Sequence, residues 1–449
     1  MEATISSRFI DSIWDYSKQD FPEDVIKEVK LCLLDYIGCT FIGASLLDKN
    51  SDAVLRKNHS NRGISSIIGT DKKSDSYTAA LLSGIHGHYL ELDDGSRSGM
   101  IHLGASVFSA MISVAQANDL GSDDFIRGVL VSYEAINRLA SAIQPSHKLK
   151  GFHATGTCGT IGISLGIASA LNYKKDLWNS VLAAAGTSAA GLLEIQEDHS
   201  EMKPYNVGHC AAAAIEAACF GASELLGPND ILGGERGFIR VYADDFKEDL
   251  LYKTDQNDHE IKKIYRKPYA ACRHCHAAIE ALLHICNENH IDEKEIQTIE
   301  VQTYSLAVKG HDYTDISNAG SAKLSMPYSL AAAVHYGSVD YQQYDKDCIE
   351  EIRKSGLMNK VVVKEDPKLS ALVPKKRAAA VTVYTNDKLY SCQVDYPLGE
   401  PENPIADKDL EKKYLSLMAA SGKDTEYGIR LMKKIYNIDK DLNGFLEMI

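Results

Sequence analysis

Four separated segments of the sequence carry side chains that could bind an anion or transfer protons. The first is the acidic group Glu91-Leu92-Asp93-Asp94, which is followed by Arg97 and His102. Three carboxylates within four residues concentrate negative charge, which raises the pKa of at least one of them. Such a group could accept a proton, bind magnesium or form a solvated loop. The residues alone favour the loop.

The second segment places His153 at the predicted start of a helix, within Gly151-Phe152-His153-Ala154-Thr155. Backbone N–H groups at a helix start are unpaired, and they lower the basicity of a nearby imidazole. This setting suits a general acid or base. A helix cap with an incidental histidine explains the same pattern equally well.

The third segment has Lys203 immediately before a helix rich in alanine. A cation among small residues is costly to bury unless something anionic meets it. We therefore expect Lys203 to contact either a buried acidic side chain or an acidic ligand.

The fourth segment combines cations, imidazoles and thiols, and it contains Lys267, Cys272 and Arg273. Residues 272–276 match the Cys-x-x-Cys-His pattern of c-type haem attachment. Haem attachment requires export, and the start of the chain does not resemble a signal peptide. One such pair is only half of a zinc site, and the sequence offers no second pair. We therefore expect neither a metal nor a cofactor.

Composition restricts the class of protein. The chain has 449 residues, of which 45% are hydrophobic and 24% charged, as in soluble globular proteins. The 48 basic and 62 acidic residues give a net charge of −14, which repels nucleic acid. We read no apolar stretch as long enough to span a membrane. The expectation is a cytoplasmic protein that binds neither nucleic acid nor membrane.

The elements that must position these side chains are predicted to be mostly helices. Over the first 240 residues, apolar side chains recur at helical spacing. Glycines 156, 159, 162 and 166 recur at about one helical turn, which lets helix backbones approach closely. Alternating patterns later predict strands at 296–303 and 361–363, and a hairpin over 380–394. Helices at 277–289 and 328–336 are interleaved with these strands.

These patterns predict a mostly α fold class with two parts. A large all-helical domain is built from both termini, and a smaller α+β lid domain is inserted into it. The predicted bounds are residues 1–262 for the first helical part, 263–397 for the lid and 398–449 for the last helices.

In this order, the four segments resemble the MmgE/PrpD family, whose known members include 2-methylcitrate dehydratase, cis-aconitate decarboxylase and iminodisuccinate epimerase. The resemblance extends to residues 227–238 and to Ser325-Met326-Pro327-Tyr328, and it covers practically the full chain. It implies a helical domain with a lid, a homodimer, and a metal-free site in the cleft between the two parts.

The resemblance also implies the site residues. The acidic position of the family falls on Glu91 or Asp93, and its lid tyrosine falls on Tyr328. Its histidines and lysines fall on four further positions: His102, His153, Lys203 and Lys267.

Two departures from the family pattern concern the reaction. Cys272 stands where the decarboxylase has a histidine tied to its chemistry, five residues after the lid lysine. The loop between Asp94 and His102 carries Gly95-Ser96-Arg97 and is one residue longer. Decarboxylation is therefore the least favoured reaction.

We predict a metal-free lyase, similar to 2-methylcitrate dehydratase, that abstracts a proton beside a carboxylate of a small di- or tricarboxylate. His102 or His153 is the base, and the other histidine or Tyr328 protonates the leaving hydroxyl. Developing charge is stabilised by cations from the set Lys203, Lys267, Arg97 and Arg273. The alternatives are a dicarboxylate epimerase, a cis-aconitate decarboxylase, and a catalytically silent metabolite-binding protein on the same fold.

Overall fold

The computed structural model describes residues 3–58, 63–252, 255 and 257–449. Its helices, in chain order from α1 to α20, are Ile5–Ser17, Glu23–Leu46, Asp48–Asn58, Ser76–His88, Gly104–Asn118, Ser122–Ile143, Ser146–Leu149, Ala154–Ala170, Trp178–Ser188, Lys203–Gly221, Phe238–Tyr242, His276–Asn289, Ser305–Val308, Ala319–Leu324, Met326–Tyr336, Lys346–Ser355, Pro367–Ser370, Asp407–Ala420, Thr425–Ile435 and Leu442–Leu446. Its strands, β1 to β8, are Ser65–Ser66, Lys73–Ser74, Gly95–Ser96, Ile264–Tyr265, Ile296–Thr303, Val361–Glu365, Ala379–Thr385 and Leu389–Val394.

The largest hydrophobic cluster joins helices from both ends of the chain. Phe9 of α1 and Leu33 of α2 belong to it, and so do Tyr414 of α18, Leu431 of α19 and Phe445 of α20. The mostly α fold class predicted from the sequence is confirmed by this arrangement.

Close contacts between small residues set the centre of the helical part. Helix α10 packs on α4 and on α8, and α8 packs on α6. Where α4 and α10 cross, Gly84 faces Gly208, and where α8 meets α6, Gly162 faces Ile136. Larger side chains at these glycines would separate the helices, because there is no room for a Cβ atom.

A second hydrophobic cluster surrounds a four-stranded sheet in the order β6-β5-β7-β8. Strand β5 pairs in parallel with β6 and antiparallel with β7. The predicted hairpin is confirmed as β7 and β8, with Val383 opposite Tyr390. Helix α12 covers β7 and β8, while α15 contacts β6. The predicted domain bounds at residues 263 and 397 stay predictions.

A short ribbon brings two of the four segments together. Strand β3 follows the acidic group, strand β4 precedes Lys267, and the two pair antiparallel, with Gly95 opposite Tyr265. Since the chain leaves this ribbon at fixed positions, the acidic group and Lys267 must lie close to each other.

Helix α2 corrects one expectation from the sequence. We expected no stretch apolar and long enough to span a membrane, but Glu23–Leu46 meets that test by length and composition. Its most apolar window is 83% buried inside the protein. The helix packs against α4, α5 and α18, so its apolar surface is used in the core.

The substitution Gly208→Ala tests the close helix crossing. A Cβ atom at this position would overlap the carbonyl oxygen of Leu81, so we expect the free energy of unfolding to fall by roughly 1–3 kcal/mol. Gly428→Ala in α19 is the matched control, because a Cβ there lies 3.4 Å from Leu415 at an ordinary packing distance. It should be neutral or stabilising by up to about 1 kcal/mol. Urea unfolding followed by circular dichroism measures both, and equal losses would contradict the tight crossing.

Candidate active site

Glu91 is the centre of a buried charge cluster. The backbone of Glu91 is in the left-handed region, with a φ of 53°, just after the end of α4. Its carboxylate contacts the ammonium of Lys203, and its Oε2 lies 3.2 Å from Nζ of Lys267. Lys267 also donates to the Glu91 carbonyl at 2.7 Å. Burial disfavours the charged carboxylate, but the two lysines outweigh burial and hold the pKa of Glu91 well below its usual value.

The position of Lys203 explains why this lysine needs a carboxylate. It is the first residue of α10, where the positive end of the helix dipole repels a cation. The sequence argument required a buried acid or an acidic ligand at Lys203, and the structure supplies the acid. Lys203 still lines a cavity with part of its side chain.

A chain of imidazoles and carboxylates extends from Glu91. His88 Nε2 lies 3.1 Å from Glu91 Oε1, and His88 Nδ1 lies 2.9 Å from the carboxylate of Asp93. Asp93 Oδ2 lies 3.6 Å from Nδ1 of His102. Burial opposes the charged form of His88, but Asp93 and Glu91 outweigh it and raise the pKa of this imidazole. His88 therefore lies between two carboxylates that favour its charged form.

His102 presents one ring nitrogen to the cavity. Its Nδ1 lies 2.9 Å from the carbonyl oxygen of Asp94, which can only accept, so Nδ1 carries the proton. Burial lowers the pKa of His102 well below its usual value; the charge of Asp93 opposes this shift, and the cations Lys267 and His88 add to it. The ring is therefore neutral, and Nε2 has a free lone pair.

His153 is also a buried imidazole that lines the cavity, but its neighbours differ from those of His102. It is the N-cap residue of α8, as the sequence predicted. Its Nδ1 lies 2.7 Å from Oδ1 of Asn206, and burial with the nearby charge of Lys203 lowers its pKa to about 3. His153 is thus a second neutral imidazole beside the cavity.

Lys413 of helix α18 forms hydrogen bonds to the backbone next to the charge cluster. Lys413 Nζ lies 2.5 Å from Asp35 Oδ1 and donates to the carbonyl oxygens of Leu92 and Lys267, each at 2.9 Å. One side chain from the C-terminal helices therefore fixes the backbone of both segments that meet at Glu91.

The cavity lies between the helical part and the sheet-containing part. Five residues predicted from the sequence line it: His102, His153, Lys203, Cys272 and Arg273. A cleft of about 640 Å³ adjoins it and shares residues such as Lys148 and His311. Both predicted histidines and one of the two predicted lysines, Lys203, thus come from distant segments to the same cavity. Glu91, Asp93 and Lys267 do not line this cavity but lie behind it.

Two predicted residues are placed elsewhere. The Tyr328 hydroxyl donates to the Gln343 carbonyl oxygen at 2.5 Å, inside the second hydrophobic cluster. Arg97 lies 2.8 Å from Glu400 and 2.6 Å from Glu402, so two protein carboxylates already neutralise its charge. Neither side chain lines the cavity, so a role for either in the site stays a prediction.

Arg273 lines the cavity with its charge already balanced. It donates to Oε1 of Glu400 through Nε at 3.1 Å and through a terminal nitrogen at 2.8 Å. Its other terminal nitrogen lies 3.0 Å from Nδ1 of His276. Arg273 therefore ties the segment before α12 to the segment before α18.

Four lysine, arginine and histidine residues that line the cavity were not among the predicted site residues. They are Lys148, His274, His311 and Arg377. His274 lies in the fourth segment, so the sequence offered a signal for it. Lys148 and Arg377 stand among other lysines and look like ordinary surface charge in the sequence.

Comparison with known proteins identifies the family of this chain. The family model of the MmgE/PrpD N-terminal domain matches residues 7–250, and that of the MmgE/PrpD C-terminal domain matches residues 269–436. The chain belongs to the MmgE/PrpD family. This membership supports a lyase family of the dehydratase or decarboxylase type.

The relatives match along nearly the whole MmgE/PrpD chain. Cis-aconitate decarboxylase-like protein oryM of Aspergillus oryzae is 23% identical, covering 100% of this chain and 98% of its own. Cis-aconitate decarboxylase of Aspergillus terreus is 23% identical, over 96% of this chain and 92% of its own. Human cis-aconitate decarboxylase is 22% identical, over 92% of this chain and 88% of its own.

Two groups in this MmgE/PrpD chain have the geometry to hold a metal ion. In the described residues, these are Cys272 with His274 and His311, and His88 with Glu91 and His102, each with ligand atoms within 4.8 Å of one another. Ammonium groups compete for the same lone pairs in both. Lys148 Nζ lies 3.0 Å from Nε2 of His274, and two lysines contact Glu91. This charge distribution favours an anion over a cation.

The neutral buried histidines predict a loss of stability in acid. Burial lowers the pKa of His86, His147 and His311 to about 4, and that of His153 to about 3. Since the unfolded chain binds protons more readily below about pH 6.5, each of these histidines destabilises the fold as the pH falls, by roughly 2 kcal/mol at pH 5. The raised pKa of His88 opposes this effect in part.

Urea unfolding at pH 7 and pH 5 measures this loss. His86→Gln should reduce the difference between the two pH values, whereas His284→Gln, at a half-exposed position, should leave it unchanged. Equal stability at pH 5 and pH 7 would contradict the neutral state of these imidazoles.

Proposed function

We propose that the protein is a lyase that acts on a small di- or tricarboxylate by proton abstraction at the carbon beside a carboxylate. One observation carries the proposal: a cavity lined by four cations and by neutral imidazoles. Among the described residues that line it, none is Asp or Glu. Such a cavity attracts a small polyanion, and neutral histidines within it can accept a proton.

His102 is the better candidate for the base. Its Nε2 is unprotonated, and the imidazolium formed by proton abstraction is stabilised by Asp93, 3.6 Å away. His153 has the amide of Asn206 in the corresponding place, and an amide stabilises an imidazolium less than a carboxylate does. His153 therefore serves as the second acid–base group, near the group that leaves.

The cations of the cavity supply electrostatic stabilisation. Removing a proton beside a carboxylate moves negative charge onto the carboxylate oxygens. Lys203 lines the cavity next to both histidines and can donate to those oxygens. Lys267 contributes without lining the cavity. It shares the negative charge of Glu91, so Lys203 is less completely neutralised.

Dehydration is the first candidate reaction, in the manner of 2-methylcitrate dehydratase. The carbon–hydrogen bond breaks as Nε2 of His102 takes the proton, the carbon–carbon double bond forms, and the carbon–oxygen bond breaks. The leaving hydroxyl becomes water by taking the proton that His102 has just accepted, either directly or through His153. Proton transfer alone completes this reaction, and the imidazoles of the cavity supply it. An epimerase would use the same proton abstraction and return the proton to the opposite face.

Decarboxylation is the second candidate, because the relatives described above carry the name cis-aconitate decarboxylase. In that reaction a carbon–carbon bond breaks, carbon dioxide leaves, and a proton is delivered to carbon. Cys272 lines the cavity where the resemblance places a histidine of the decarboxylase. A thiol is a weaker acid than an imidazolium, so it delivers a proton to carbon less readily. This position therefore favours dehydration over decarboxylation. The predicted homodimer and cytoplasmic location stay predictions.

Turnover assays with His102→Asn test the proposal. The purified protein is incubated with 2-methylcitrate, citrate and cis-aconitate, and products are followed by ultraviolet absorbance of the new double bond and by chromatography. We expect dehydration of a hydroxy acid, and a 10²- to 10⁴-fold lower kcat for His102→Asn, since a general base contributes about that factor.

His284→Asn is the control, since that side chain is half-exposed and lies outside the cavity. Release of carbon dioxide from cis-aconitate without dehydration would establish the second candidate instead. Retained activity in His102→Asn, with an unchanged melting temperature, would remove His102 from the role of base. Binding of these acids without any turnover would indicate the silent binding protein.

A further inference from the structure

Two cations of the cavity lack the carboxylate partner that the others have. Lys203 contacts Glu91, which it shares with Lys267, and Arg273 pairs with Glu400. Within the described part of the chain, neither Lys148 nor Arg377 lies within ion-pair distance of an acidic side chain. The excess positive charge is therefore concentrated at these two residues.

Arg377 is buried with most of its donors unused. It is 5% exposed, and it donates one hydrogen bond, at 3.1 Å, to the carbonyl oxygen of Arg97. Its Nε is buried without a partner. A guanidinium has five N–H donors, and burying them unsatisfied costs free energy that the fold alone does not recover. This side chain lines the cavity, so a ligand there can satisfy it.

Lys148 is held beside Arg377 by an imidazole. Its Nζ lies 3.0 Å from Nε2 of His274, whose Nδ1 lies 2.6 Å from the hydroxyl of Tyr304. Burial and the charge of Arg377 lower the pKa of Lys148 to about 8, so it remains mostly protonated at neutral pH. His274 thus positions an ammonium group in the cavity that Arg377 also lines.

We propose that Lys148 and Arg377 form a second anion subsite, which binds a carboxylate of the substrate remote from the reacting carbon. The guanidinium fork matches the two oxygens of a carboxylate, and the ammonium adds a point charge. This inference rests on the proposed function only for the identity of the anion as a carboxylate. It sets the substrate class: an acid with at least two carboxylates, one at His102 and Lys203 and another at Lys148 and Arg377.

Isothermal titration of the full-length protein tests the subsite without depending on turnover. The probes are tricarballylate, glutarate and inorganic phosphate. Glutarate lacks one carboxylate of tricarballylate, and phosphate is an anion without carboxylates. We expect tricarballylate to bind most tightly, and Arg377→Gln and Lys148→Met each to weaken it about 10- to 100-fold, as a lost charged hydrogen bond does. Arg377→Lys, which keeps the charge but not the fork, should lose less.

Thermal melting separates this role from a structural one. Without ligand, Arg377→Gln should melt at the same or a higher temperature, because it removes an uncompensated buried charge. The stabilisation by tricarballylate should shrink in the same variant. Arg430→Gln, an exposed arginine paired with Glu426, is the control and should change neither property.

The remaining outcomes also decide the question. Unchanged affinity for tricarballylate in both variants, or a lower melting temperature for Arg377→Gln with normal binding, would overturn the subsite. Loss of binding after treatment with a chelator would show that a metal bound by Cys272, His274 and His311 holds the anion, and would overturn it as well. Phosphate binding tighter than tricarballylate would show a phosphate site instead. If binding depends on Arg377 but no acid is turned over, the subsite stands and the lyase proposal fails.

Discussion

The site depends on the burial of one carboxylate, Glu91, between two lysines from different parts of the chain. Lys203 begins a helix of the large bundle, and Lys267 precedes the segment that leads into the sheet. Each lysine would be very costly to bury alone, and each becomes tolerable because it shares the charge of Glu91. The contact between the helical part and the sheet-containing part is therefore also the contact that makes the site electrostatically possible.

The positive-φ backbone of Glu91 follows from the same constraint. A residue with a Cβ atom adopts this conformation at a cost, and the surrounding contacts must hold it there. The Glu91 carbonyl accepts from Lys267 while its carboxylate contacts Lys203 and His88. Backbone and side chain are thus fixed together. His88 contacts Glu91 and Asp93, and Asp93 lies near His102, so the position of Glu91 helps to set the positions of all three side chains.

Some of this could be predicted from the sequence, and the reason differs from residue to residue. The need of Lys203 for an anion, and the place of His153 at a helix start, follow from local chemistry and local helix signals. The hairpin of β7 and β8 follows from alternation around a polar turn. The family resemblance supplied His102, whose role local patterns did not show. It also suggested Tyr328 and Arg97 for the cavity, and the structure gives both side chains other partners.

The roles of Lys148 and Arg377 could not be predicted, because they depend on the lack of an acidic partner within the described part of the fold. Both stand among lysines in polar stretches, where a solvated charge is the natural interpretation. His274 lies 126 positions from Lys148, and no local pattern indicates that pairing. Unpaired charge is a property of the folded cavity, so it becomes visible only when every acidic side chain nearby has been assigned to another cation.

The chain passes between the helical part and the sheet-containing part at two places, near Arg266 and near Gly399. They lie side by side, since the backbone N–H of Arg266 donates to the carbonyl oxygen of Gly399 at 3.0 Å. Gly399 has a φ of 97°, and a Cβ atom there would overlap the carbonyl oxygen of Arg266. Arg273 and Glu400 reinforce the same junction with a buried ion pair. Both crossings are therefore held together at one edge of the contact between the two parts. A ligand in the adjoining cleft would contact Lys148 and His311, which line both the cleft and the cavity, so one of the two uncompensated cations is shared between them.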